Sequence, residues 1–165
     1  MGGGSKAVTP TPARPGTRPR VSTEGPQRQL DQHSPPAIWG EFVAAVFALP
    51  GVVEGHSAVS PASSRAVHVD GVDAPSEPGR SLAPMGERFE PVHLHGVEDT
   101  SLHLVLPPIR GAELVELGWA EPHQYEDHGT EFLLYGPRDA TELQVIVDIV
   151  RESLLWSVSH LGREA

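Results

Sequence analysis

The sequence predicts an α+β domain: a single twisted, mostly antiparallel β-sheet with N- and C-terminal helices packed on one face. Three observations lead there. Apolar residues recur at helical spacing over 38–49 and again over 139–158. The stretch between them holds short runs of β-compatible residues, cut by Gly, Pro, Ser and Asp clusters. The stripe of the last helix is wide enough to need a sheet to cover it.

The first 36 residues are Gly, Pro, Thr, Ser, Arg and Gln with almost no large apolar groups. Such a segment buries too little surface to offset its ordering entropy. It reads as a disordered tail, with the folded domain over 37–162. Ile38, Trp39, Phe42, Val43, Val46 and Leu49 then mark an amphipathic helix, opened by Pro35-Pro36 and stopped by Pro50-Gly51. Residues 52–59 and 65–69 are candidate strands around a Ser-Pro turn. In the second, His68 alternates with Val67 and Val69 and faces away from them. Residues 72–87, rich in proline, form a long loop of the kind used as lids or binding loops.

Residues 91–95 and 101–106 read as a β-hairpin closed by the polar loop 96–100. Arg110 to Leu117 is a short helix ending at Gly118. Residues 119–129 look irregular, and 131–135 form a strand broken by Gly136-Pro137. Asp139, with Glu142 three residues on, reads as a capping box for a helix whose stripe is Leu143, Ile146, Val147, Val150 and Leu154, widened by Leu155.

Composition excludes several functions. There is no cysteine, so no disulfide, thiol nucleophile or cysteine metal site. No apolar run approaches the ~20 residues of a membrane helix, and no apolar leader opens the chain. A cytoplasmic location without membrane contact is the default expectation. Residues 1–37 carry five basic side chains against two acidic ones. The remainder carries seven basic against twenty acidic. A folded part that acidic is not expected to hold nucleic acid.

The hairpin concentrates the chemistry. His93 and His95 are two apart and share a face. A symmetric five-residue loop sets His93 opposite His103, with Cβ atoms ~5 Å apart. Three imidazoles then crowd one face. They are structural residues bonded to backbone, Asp99 or Glu98, or a proton-transfer site, or a facial three-His site for zinc or iron.

The pattern His93-x-His95, Asp99-x-Ser101-Leu102-His103-Leu104-x-Leu106, Gly118-Trp119-x-x-x-His123 and Phe132-x-Leu134-Tyr135-x-Pro137-Arg138, followed by Glu142 and an apolar helix, resembles the luciferase domain of fungal bioluminescence. It also resembles small bacterial proteins that share that domain. The resemblance covers 88–158 well, 50–70 loosely and the tail not at all. It implies a small-molecule substrate, a hydroxylated pyrone in the fungal enzymes, oxidised by molecular oxygen without a recognised organic cofactor. It makes His93, His95, Asp99, His103, His123 and Arg138 catalytic candidates. Trp119 and Tyr135 become substrate-binding candidates, and His68, outside the matched motif, is taken as a third. The chain departs from the fungal enzymes in lacking their membrane-anchoring N-terminal segment and in its 72–87 loop, and family does not fix chemistry.

Oxygenation of an enol or phenol without a cofactor needs a base to form the enolate. His93 or His103 suits that role, oriented by Asp99 or Glu98, with Arg138 stabilising the anion. Arg138 has an equal claim as the neutraliser of Glu131 or Glu142, and Trp119 and Tyr135 as core aromatics. Two other function classes stay open: a metalloenzyme on His93, His95 and His103, and a non-catalytic binding module. The sequence leaves the oligomeric state undetermined.

Overall fold

The computed structural model describes residues 9–72, 77–125 and 128–159. The elements are α1 (Pro36–Phe47), β1 (Val52–His56), β2 (Arg65–Val69), β3 (Val92–Leu94), β4 (Leu102–Val105), α2 (Pro108–Glu116), β5 (Ala120–Pro122), β6 (Glu131–Leu134) and α3 (Ala140–Val158). The six strands make one open sheet in the order β1-β2-β3-β4-β6-β5. Every neighbouring pair is antiparallel.

Period-two alternation gives the sheet two unlike faces. One row of partners runs Val67, Val92, Leu104 and Phe132. Beside it lie Leu94, Leu102, Leu134 and Ala120. These residues pack with Trp39, Phe42 and Val46 of α1 and with Ile146, Ile149, Val150 and Leu154 of α3 to form the core. Each fully buried Val, Leu, Ile or Phe stabilises the fold by roughly 1.5–3 kcal/mol. The intervening row is Ala66, His93, His103, Leu133 and Glu121. The histidines therefore stand on the face that the helices leave uncovered.

The helix signals hold with local differences. Proline occupies the first turn of α1 and of α2, where its missing N–H costs nothing. Gly118 takes φ +86° just past α2, the left-handed conformation that ends a helix. The Asp139 carboxylate accepts the Glu142 amide at 2.9 Å. The Glu142 side chain, however, turns to Arg138 and Arg14 instead of reaching back to the cap. Leu155 was expected to widen the buried stripe, yet it is 65% exposed. β1 stops at His56 because the Ser57 hydroxyl accepts the Val59 and Ser60 amides and bends the chain. The stretch expected to be irregular contains β5, a three-residue edge strand on β6 that ends at a proline.

The disordered-tail expectation does not hold for residues 9–36; residues 1–8 lie outside the described residues. This segment runs over the uncovered face and the β6–β5 edge as a strap. The Pro12 carbonyl accepts from Trp119 Nε1 at 2.7 Å, and the Arg14 amide donates to Leu117 at 2.8 Å. Arg14, Gln27, Gln29 and Ser34 are buried. Val21 and Gln29 form a β-bridge within the segment. Its anchorage is polar and specific, which apolar content does not register. Residues 160–162, assigned to the domain, lie outside the described residues. Among the described residues, no helix is long and apolar enough to cross a membrane.

Candidate functional site

The hairpin pairs as its loop length implies. His93 is the Cα partner of His103, and the His95 amide donates to the Ser101 carbonyl at 3.0 Å. The ring centroids of His93 and His103 are 5.1 Å apart, those of His95 and His103 4.8 Å, and those of His93 and His95 5.3 Å. His123, just beyond β5, adds a fourth ring 4.8 Å from His103. The ligand nitrogens of His93, His95 and His103 all lie within 4.8 Å of one another. A second group, formed by His103, His123 and Glu131, meets the same limit.

Each ring of the first three is held from outside the cluster. His93 Nδ1 lies 2.8 Å from Glu90 Oε1. That carboxylate also accepts from the Ser57 hydroxyl at 2.6 Å and the Ala58 amide at 3.0 Å. His95 Nδ1 lies 2.8 Å from Asp99 Oδ2 and 2.9 Å from Ser101 Oγ. The Ser101 hydroxyl donates to Asp99 Oδ1 at 2.6 Å. His103 Nε2 lies 3.2 Å from Gln27 Oε1, on the strap.

Burial pushes the Glu90 carboxyl up, but hydrogen bonds from His93, Ser57 and Ala58 outweigh it and leave Glu90 below its ordinary range. Asp99 behaves alike: burial raises it, and the bonds from His95, Ser101 and the Gln29 amide win. Burial lowers His93, against the pull of Glu90. Burial, reinforced by the neighbouring His95, His93 and His123, holds His103 well below its ordinary value. The result is two ionised carboxylates, Glu90 and Asp99, on the outside, and burial that disfavours the charged form of His93 and His103 on the inside.

A pocket of about 820 Å³ opens over the cluster. His93, His95, His103, His123 and Asp99 line it, as does Glu131. Its other walls include Val59, Leu82 and Tyr125. Leu82 comes from residues 77–87, the described part of the proline-rich loop apart from Val72, and this part borders the site; residues 73–76 lie outside the described residues. Gln27 and Pro26 close one side from the strap.

The structure brings five of the sequence-derived candidates together: His93, His95, Asp99, His103 and His123. The others stand apart from the pocket lining. His68 shares the histidine face, but its Nδ1 binds the Phe89 carbonyl at 2.8 Å, and the ring is buried beside Gly55. Trp119 is a core residue anchored to Pro12. Tyr135 is buried and donates to Glu121 Oε1 at 2.6 Å. Arg138 pairs with Glu142. Three residues at the site were missed. Glu90 had a signal, an acid inside the apolar run Phe89-Glu90-Pro91-Val92. Glu131 was considered only as a partner for Arg138. Gln27 had none, because it sits in a segment with no pattern.

With three buried histidines and the partly exposed His123 meeting under one pocket, the chain can be set beside the known proteins that it resembles. Residues 88–153 match the model of the Luciferase domain family, so the chain resembles that family over the hairpin, α2, β5, β6 and most of α3. Among curated proteins, the luciferase of Armillaria gallica is 28% identical over 160 residues, 87% of this chain and 59% of that protein. The luciferases of Armillaria mellea and Neonothopanus nambi are each 35% identical over 71 residues, 39% of this chain and 27% of theirs. The chain thus spans little more than half the length of the first and about a quarter of the others. A crystal structure of a Deinococcus radiodurans protein with a DUF419 domain superposes with a TM-score of 0.50 at 12% identity, over 76% of this chain and 81% of that one. That likeness concerns the fold alone.

Proposed function

We propose that this chain is a luciferase-type oxidoreductase that brings molecular oxygen to a small enolic or aromatic molecule in the pocket over the histidines. One observation carries the reading: the histidines of the luciferase-domain segment, His93, His95, His103 and His123, meet at the floor of a single pocket. Its volume, about 820 Å³, falls within the range of roughly 300–1,000 Å³ that suits a small organic ligand.

The base belongs at the pocket's edge. Burial makes His93 and His103 poor proton acceptors. His123 is 18% exposed at its side chain, with Nε2 3.6 Å from Glu131 Oε1. A substrate hydroxyl passes its proton to His123, Glu131 stabilises the imidazolium, and the enolate left behind is the electron-rich species that oxygen attacks. The test is oxygen uptake by the purified chain with a panel of hydroxylated pyrones, enols and catechols. Turnover that falls about 10²–10⁴-fold in His123→Ala, the usual worth of a general base, supports the reading. No uptake with any of these compounds, or full turnover in His123→Ala, sinks it.

A further inference from the structure

We propose that His93 Nε2, His95 Nε2 and His103 Nδ1 form a site for a divalent first-row metal ion. Gln27, on the N-terminal strap, is the positioning residue that turns the inner nitrogen of His103 toward that ion. The inference deepens the reading above by naming a cofactor for the same pocket.

An ionised carboxylate only accepts hydrogen bonds. Glu90 therefore requires the proton of His93 on Nδ1, 2.8 Å away, and leaves Nε2 bare. Asp99 does the same for His95 at 2.8 Å. The neighbouring Ser101 hydroxyl has already given its proton to Asp99, so it too can only accept from His95. For His103 the donor pattern runs through an amide. Gln27 Nε2 donates to the Pro122 carbonyl at 3.0 Å, which fixes the orientation of the amide. The oxygen then faces His103 Nε2 at 3.2 Å and places the proton there. Nδ1 is left bare.

One ligand nitrogen from each of the three rings lies within 4.8 Å of the other two. The bare nitrogens His93 Nε2 and His103 Nδ1 face each other at 3.1 Å. Two acceptors at that distance repel unless something positive serves both. Nitrogens sharing one zinc-like ion at about 2.1 Å lie about 3.0–3.4 Å apart for bond angles between octahedral and tetrahedral, and the observed spacing falls inside that interval. Outer nitrogens donating to carboxylates or carbonyls are the usual second layer of histidine metal sites. Three imidazoles suit zinc, iron or cobalt, and the pocket leaves open positions for water or substrate.

The test is metal content and spectroscopy of the full chain, with no substrate present. The protein is stripped with chelator and reloaded with Zn²⁺, with Fe²⁺ under anaerobic conditions, or with Co²⁺ as a visible probe. One equivalent retained by the wild type, with Co²⁺ ligand-field bands that vanish in His95→Ala and His103→Ala, is the expected result. Gln27→Leu should weaken affinity about 10–100-fold, the usual effect of losing such a partner, and shift the Co²⁺ bands. Gln27→Glu, which keeps the acceptor, should restore both. Circular dichroism shows that each variant is folded. Wild type retaining no more metal than His95→Ala overturns the site, because a proton shared by His93 and His103 then fills the gap. Gln27→Leu binding like wild type overturns the role of Gln27. Because the readout needs no turnover, metal binding without oxygen uptake sinks only the oxygenase reading, and uptake by metal-free protein sinks only the ion's role as cofactor in that reaction.

Discussion

Gln29 and Gly136, 107 positions apart, are joined by a hydrogen bond: the Gly136 amide donates to Gln29 Oε1 at 3.0 Å. The Gln29 amide donates in turn to Asp99 Oδ1 at 3.1 Å, and its side-chain Nε2 is satisfied by the Asp31 and Gln32 carbonyls. A buried residue of the strap thus ties the end of β6 to the hairpin loop that holds His95. Gln29→Ala leaves the buried Gly136 amide without its partner, at a cost of about 1–3 kcal/mol. Removing residues 1–33 deletes this bond, the Gln27 contact and the cover over Trp119 and Tyr135. It should lower the thermal midpoint by about 10 °C or more, since a 1 kcal/mol change moves the midpoint of a domain this size by several degrees. A midpoint within two or three degrees of wild type would show that the strap adds nothing to stability.

Gly136 is also the tightest backbone approach in the molecule's described glycines. A Cβ there would lie 1.7 Å from the Thr100 carbonyl oxygen and 2.6 Å from Ser34 Oγ. The obstacle is main chain, which cannot swing aside as a side chain can. Gly136→Ala should cost at least the ~1–3 kcal/mol typical of overpacking. Urea unfolding that leaves the midpoint unchanged would contradict this packing.

How far the sequence reached follows from what holds each part in place. The hairpin, α1 and α3 were legible because burial imposes periodicity, and the His93–His103 pairing followed from a five-residue loop. β5 was not legible: Ala120-Glu121-Pro122 has no alternation to speak of, and only its pairing with β6 makes it a strand. The strap was misread because Arg14, Gln27 and Gln29 dock through hydrogen bonds, which composition cannot count. Trp119, Tyr135 and Arg138 were recognisable as a motif, but a motif does not say whether its members support the site or touch it.

Tyr135 gives a test at high pH. Burial, then its hydrogen bond to Glu121, raises the Tyr135 hydroxyl above its ordinary value of 10.0, against the opposing pull of Arg18. The Arg14 guanidinium also lies 5.2 Å from its ring. A group whose pKa is raised by folding stabilises fully below its unfolded value, and that contribution is lost as pH rises beyond it. Stability should therefore fall from about pH 10 upward more steeply in wild type than in Tyr135→Phe. Equal slopes in urea unfolding from pH 9 to 11 would show that the hydroxyl is not held neutral.

The last prediction separates support from chemistry at the start of α3. Arg14 is buried, with 1% of its side chain exposed, and Nη2 lies 3.4 Å from Glu142 Oε2, itself 5% exposed. Its Nε and Nη1 find no hydrogen-bond partner among the described residues, so Glu142 is the carboxylate that compensates the buried guanidinium. Arg138 binds the same carboxylate through Nε at 2.9 Å, but its side chain is 29% exposed. Breaking a buried pair from one side leaves an uncompensated charge and costs about 3–5 kcal/mol. A partly exposed partner is worth about 1 kcal/mol or less. Glu142→Gln should therefore destabilise the chain several-fold more than Arg138→Ala, measured by urea unfolding at pH 7. Replacing Arg14 by methionine in the Glu142→Gln background should recover part of the loss, because the unpaired charge is gone. If Arg138→Ala is instead the more damaging of the two, or if it abolishes oxygen uptake while the fold is intact, then Arg138 acts at the site as its motif implied and Glu142 serves to aim it.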